Sequence, residues 1–335
     1  MPEGRSAKRA SAAIQWGLAA GAIAVIAWVV ATHSEEARRL LDLTPRLFAL
    51  ISVSAIGTHL LNGWELQVLT ARFGARIRFR DTFSLALMVN VLNYLPAKTG
   101  TLANGAVLRG CFKVRAAHFG ALVLGSGVIH LWVAGSLAGA VLLAAGQPAL
   151  GWPVLLGPSA ALLALLAWGW FAPRRRDSDH MRAPLRIAYD AAHGIADIYR
   201  DTRLMAIELL INVGLVALDA ARTYFAFRAL STEATFAQSL VVVAAAIVLE
   251  RFSVIPGGLG FREGGSAAAA GAVGISSALG LGAAVVDRAV KLVWLVLLGV
   301  PATLYVSRTT GHTLGEWLQR ARAERPAPNA EGEAS

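Results

Sequence analysis

The chain has 335 residues, 56% of them hydrophobic and 16% charged, against roughly 25% charged in a soluble domain. Its charges fall in blocks between apolar runs close to the ~20 residues that cross a bilayer, which excludes a soluble globular enzyme. The formal net charge of +10 gathers in loops and tails; no basic stretch is interleaved with aromatics in a soluble module, so nucleic acid is not an expected partner.

Arg5, Lys8 and Arg9 give residues 1–13 a basic character, expected to be cytoplasmic. The apolar run Ile14–Ala31 is longer than a signal-peptide core and reads as an uncleaved first span. After a mixed-charge loop, Leu47–Thr70 is the second span, with His59, Asn62 and Glu65 on roughly one face, expected to point into the bundle. Arg72, Arg76, Arg78 and Arg80 then mark a cytoplasmic loop. Thr82–Leu95 is apolar but too short for a span, and it ends at Pro96, Lys98 and Gly100. Thr101–Leu108 is small and mildly apolar and runs into Arg109, Lys113 and Arg115. Both flanks are basic, so the segment reads as a re-entrant hairpin entering from the cytoplasm; two tight spans are the rival.

Ala117–Ala144 and Pro153–Phe171 are spans joined by an uncharged loop, and Arg174, Arg175, Arg176, Arg182 and Arg186 follow as a cytoplasmic mark. Within a cytoplasmic segment of about 174–203, Leu185–Tyr199 alternates at helical spacing and reads as an interfacial amphipathic helix. Leu204–Phe227 is a span that carries Glu208, Asn212, Asp219 and Arg222, the last two able to pair at i, i+3. Phe236–Phe252 ends in Glu250 and Arg251, and Ser253–Gly265 reads S-V-I-P-G-G-L-G-F-R-E-G-G. Leu279–Val306 is the last span, with Asp287, Arg288 and Lys291 on about one turn. The tail, 308–335, is basic and then rich in proline, alanine and glutamate, expected to be cytoplasmic and partly disordered.

The expected fold is an all-α polytopic integral membrane protein, one transmembrane domain over 14–307, with about six full spans and two re-entrant broken-helix hairpins. Both termini are then cytoplasmic. Span, hairpin, span occurs twice in opposite orientation, the arrangement of inverted-repeat transporters.

The two breaks carry the functional expectation. Pro96 and Pro256 remove backbone donors, and Gly100, Gly257, Gly258 and Gly260 open dihedrals that other residues resist. Broken backbone at membrane depth survives only against protein or a water-filled cavity, and ionisable residues there are functional candidates. Lys98, Arg109, Arg262 and Glu263 are therefore the candidate lipid-headgroup residues, because Arg offers phosphate a planar fork of donors. Lys98 either meets a phosphate or snorkels to the headgroups, and Arg109 doubles as a topology charge. Glu65, Asp219, Arg222, Glu250, Asp287, Arg288 and Lys291 are read as intramembrane charge partners. The seven histidines show no metal-ligand spacing, the one cysteine, Cys111, forms no internal disulfide, and no nucleophile or acid–base set stands out. No metal, cofactor or catalytic residue is expected.

The run Pro256–Glu263, P-G-G-L-G-F-R-E, resembles the signature of the lysylphosphatidylglycerol synthase transmembrane, or flippase-like, family. The first break, N-Y-L-P-A-K-T-G-T-L-A-N-G-A-V-L-R, is similar to the same family's N-x-L-P-G-R-x-G-E-x-x-R stretch, with Ala97, Lys98, Thr101 and Asn104 departing from it. The likeness spans most of Leu47–Val306. It implies a protein of the bacterial inner membrane that moves lipids between leaflets, with membrane lipids (phospholipid, hopanoid or polyprenyl-linked) as partners and lipid-biosynthesis enzymes as further ones. It implies no lysyl transfer, since the sequence leaves no room for the aminoacyltransferase domain of bifunctional members. The alternatives are an integral membrane transferase acting on a lipid-linked substrate and an accessory subunit of a lipid-synthesis pathway such as that of hopanoids.

Overall fold

The structure is a computed structural model that describes residues 44–94, 99–171, 183–252, 260–311 and residue 316. The expected first span Ile14–Ala31, Pro96, Lys98, Pro256, Gly257, Gly258 and most of the tail lie outside the described residues. Among the described residues every regular element is helical. The helices are α1 (Pro45–Arg72), α2 (Phe79–Leu92), α3 (Thr99–Phe112), α4 (Ala116–Ala144), α5 (Pro148–Phe171), α6 (Ala183–Arg200), α7 (Thr202–Ala229), α8 (Phe236–Phe252), α9 (Phe261–Ala272) and α10 (Ser277–Thr310). A π turn at Leu295–Gly299 interrupts α10.

Three of the long helices, α1, α7 and α10, start where a side chain satisfies one of their first N–H groups. Thr44, Asp201 and Ser276 accept from the backbone N–H of Leu47, Leu204 and Leu279 at 3.4, 3.0 and 3.2 Å. Pro45 occupies the first turn of α1, where a missing donor costs nothing. Five helices are long and apolar enough to cross a membrane: α1, α4, α5 (over Pro148–Ala167), α7 and α10. The 14 residues each of α2 and α3 and the 12 of α9 reach only about 21 and 18 Å at 1.5 Å per residue, against a hydrocarbon core of ~30 Å. These arms pair as hairpins, α2 with α3 and α8 with α9. The sequence places the start of the fifth helix at Pro153; it begins at Pro148, which leaves Pro153 and Pro158 inside the helix. Transmembrane helices tolerate this because neighbours re-satisfy the freed backbone groups.

α1 and α7 pack antiparallel at the centre: Thr58 meets Asp219, Leu61 lies against Gly214 and Glu65 meets Asn212. Exchanging α1 with α7, α2 with α8, α3 with α9 and α4 with α10 carries most packed pairs onto packed pairs, although α7 packs on α10 with no comparable packing of α1 on α4. α1 on α2 matches α7 on α8, α4 on α8 matches α10 on α2, and α4 on α7 matches α10 on α1. An inverted repeat has this pattern. Each hairpin also has its own core, Leu85, Met88, Leu92, Ala103 and Val107 in the first, Ala269, Ala270, Val286 and Val290 in the second with α10.

The hairpins open toward opposite ends of the bundle. At one end Arg72 pairs with Asp201 at 3.7 Å and Tyr305 donates to Asp81 at 2.9 Å, which groups the end of α1, the starts of α2 and α7 and the end of α10. At the other, Gln147 and Gln238 donate to the carbonyls of Ala272 and Val273, both at 2.9 Å, grouping the α4–α5 turn with the open end of the second hairpin. The first end carries Arg72, Arg76, Arg78, Arg80, Arg109, Lys113 and Arg115 and is called the basic end below.

Candidate functional site

Two glycines set the tips of the hairpins. Gly100, at the start of α3, lies so close to α2 that a Cβ would stand 2.1 Å from the Val89 carbonyl oxygen. Gly260 precedes α9 with φ of 80°, a left-handed conformation that only glycine adopts without cost. Its N–H donates to Oε2 of Glu263 at 2.8 Å, so the carboxylate caps its own helix. The other carboxylate oxygen of Glu263 stands 2.7 Å from Nη1 of Arg288 on α10.

Beside this cap runs a chain of alternating charges. Asp219 pairs with Arg222 at 2.9 Å, Arg222 pairs with Asp287, Asp287 accepts from Arg262 at 3.1 Å, and Arg262 donates to Glu250 at 2.7 Å. The chain joins α7, α10, α9 and α8 in turn, and Thr58 of α1 contacts its first members at 3.3 Å. Arg222, Arg262, Asp287 and Arg288 are buried, whereas the Glu250 side chain keeps 39% of its exposure. Lys291, one turn beyond Asp287, feels the charges of Arg262, Glu250, Arg222 and Asp219. With Lys291, the three arginines and four carboxylates of the cluster sum to zero formal charge. Charges buried in lipid persist only when paired in this way.

The first hairpin reaches the same place. Tyr94, in the turn that ends α2, lies within the field of Arg288, Glu250, Arg262 and Glu263. His59 of α1 links it further, with Asn90 of α2 at 3.5 Å on one side and the charges of Lys291, Arg222 and Asp219 on the other. Tyr94 and Asn90 are site residues that sequence reasoning missed. Each looks like an ordinary helix-end or helix-contact residue until the opposing hairpin is in view.

The remaining expected residues lie elsewhere. Arg109 is exposed in the last turn of α3, at the basic end and away from Arg262. Glu65 stands outside the charge chain, where its Oε1 accepts from Ser126 at 2.6 Å and from Asn212 at 3.2 Å. A cleft of about 330 Å³ at the basic end is lined by Asp81, Leu85, Val107, Cys111, Phe112 and Tyr305 among others. Arg80 stacks over the Tyr305 ring at 4.3 Å at its rim. Among the described residues no group of three His, Cys, Asp or Glu is placed to hold a metal ion.

Fold and site together define a polytopic membrane protein in which two short broken hairpins, entering from opposite ends, converge on buried, mutually neutralised charges. The sequence profile of the lysylphosphatidylglycerol synthase TM region matches residues 14–299, and the chain belongs to that family. Its resemblance to curated proteins is partial. It is 28% identical over 115 residues to a UPF0104 membrane protein of Methanothermobacter thermautotrophicus, covering 34% of this chain and 33% of the relative. It is 36% identical over 97 residues to a UPF0104 membrane protein of Pyrococcus horikoshii, covering 29% of each. The chain thus spans about a third of the length of the curated relatives it matches. Membership places it among membrane proteins concerned with lipid handling.

Proposed function

We propose that the protein translocates a lipid across the bacterial inner membrane, passing the headgroup between the tips of its two hairpins while the acyl chains stay in lipid. The observation that supports this reading is that Tyr94, at one tip, lies within the field of Arg288, Glu250, Arg262 and Glu263 around the other. A headgroup must shed water to cross, and fixed charges beside broken backbone replace that water. The basic end faces the cytoplasm by the positive-inside rule, with both termini on that side. There Arg109 receives the headgroup phosphate, and Lys98, between α2 and α3 in the sequence, takes it up farther along the path. Deeper in, Arg262 is the phosphate ligand. Of its two carboxylate partners Asp287 is 2% exposed and Glu250 39%, so the phosphate replaces Glu250 while Asp287 holds the guanidinium. Glu263 keeps Arg288 and the start of α9 in place, or accepts a hydroxylated headgroup.

The test is headgroup accessibility in proteoliposomes carrying a fluorescent-headgroup phospholipid, with polyprenyl-linked and hopanoid lipids in parallel arms and an impermeant reductant outside. Wild-type protein should expose inner-leaflet lipid to the reductant. Glu263→Lys should behave like protein-free vesicles, and Glu333→Lys, in the tail, like wild type. Wild-type movement by Glu263→Lys would overturn the site, and a covalently altered lipid without movement would favour the transferase alternative.

A further inference from the structure

Glu208 has no place in the charge chain, yet it is completely buried, and neither of its carboxylate oxygens meets a donor. It lies beside Glu65 of α1, near enough for the two carboxyls to share a hydrogen bond once one of them is protonated. Glu65 holds donors already, Ser126 Oγ at 2.6 Å and Asn212 Nδ2 at 3.2 Å. Asn212 donates again to the Glu208 carbonyl at 2.9 Å, which fixes its amide, and its Oδ1 then accepts from Nδ1 of His130 at 2.8 Å. Among the described residues no cation pairs with either carboxyl.

Two ionised carboxylates in contact, buried and without a cation, cost far more than a pair that shares one proton. We propose that Glu65 and Glu208 form a proton-binding site within the membrane, linked through Asn212 to His130, whose loading and release accompany movement of α7 against α1 and α4. On loading, an O–H bond forms on one carboxyl as one breaks in a hydronium ion; on release the proton returns to water. Glu208 lies in the second turn of α7, about 9 Å along the helix from its start at the basic end. Glu208, Asn212, Asp219 and Arg222 fall on one stripe of α7. The acid pair and the charge chain therefore share a helix face, and a shift of α7 moves both.

Every element packed on α7 has its own charged or titratable group nearby. α1 brings Glu65 and α4 His130. α6 brings Tyr199, which feels the Glu208 charge but donates to the Gly125 carbonyl at 3.2 Å. α8 brings Arg251, whose charge reaches His130. α10 brings Asp287 and Lys291, which face Asp219 and Arg222 rather than Glu208. Coupling of this proton to transport rests on the translocation reading; the proton site itself does not.

The experiment has two arms. Infrared spectroscopy of the full chain in vesicles at pH 7 should show a protonated-carboxyl band that is lost in Glu208→Gln, an isosteric change that preserves packing, and in Glu65→Gln/Glu208→Gln. A wild-type minus variant spectrum with only carboxylate bands overturns the proton site. In proteoliposomes with the fluorescent phospholipid, a gradient of one pH unit should change the ratio of inward to outward movement by up to about tenfold for one proton, and Glu208→Gln should ignore it. Movement indifferent to the gradient, with the infrared band present, overturns the coupling. No movement in any variant counts against translocation and leaves the infrared arm to decide the proton site.

Discussion

Arg262 of α9 and Asp287 of α10 are 3.1 Å apart with both side chains buried, and Asp287 also receives Arg222 from α7. One carboxylate thus holds the second hairpin to both long helices of its half. Asp287→Asn keeps the shape and removes the charge both arginines need. Breaking a buried pair from one side costs roughly 3–5 kcal/mol, because the remaining charge stays uncompensated. Thermal unfolding in detergent should show that loss for Asp287→Asn, and a markedly smaller one for Glu250→Gln, whose side chain is 39% exposed.

Glu263 both caps α9 through the Gly260 N–H and pairs with Arg288. Loss of a cap is worth about 1 kcal/mol, and stranding buried Arg288 adds to it. Glu263→Ala should therefore destabilise more than the cap alone explains, and Arg288→Met in the same chain should recover the part due to the stranded charge. A double-mutant cycle in unfolding free energy reads this coupling, and strict additivity would show that the pair does not matter.

Gly100→Ala should be poorly tolerated, because the new methyl would sit 2.1 Å from the Val89 carbonyl oxygen, and backbone must move to admit it. Overpacking of this kind costs about 1–3 kcal/mol or more. Gly157→Ala, where the added methyl meets nothing within 4 Å, should be neutral or slightly stabilising. Relative yields of folded monomer on size exclusion would separate the two.

The fold was legible because its signals are local. Each hairpin arm is an apolar run too short to cross, bounded by charge and broken by proline and glycine, and each span is long enough. The pairing of Asp219 with Arg222 is local too, one turn apart on α7. What joins the site is not local. Arg222 meets Asp287 across 65 positions, and Arg262 and Arg288 choose between carboxylates on different helices that spacing cannot rank. Tyr94 looks like an interface aromatic, and Glu208 like one more polar residue on a span. Only the antiparallel packing of α1 on α7 brings Glu208 against Glu65.

The central claim is that two hairpins enter from opposite faces and meet. The most direct measurement is the side from which their open ends can be labelled. Native Cys111 is exposed at the end of α3, and Ala272 is exposed at the end of α9. An impermeant maleimide should modify Cys111 in inside-out vesicles and not in right-side-out ones. In a Cys111→Ala chain carrying Ala272→Cys, the pattern should reverse. Modification of both from the same face would contradict the account.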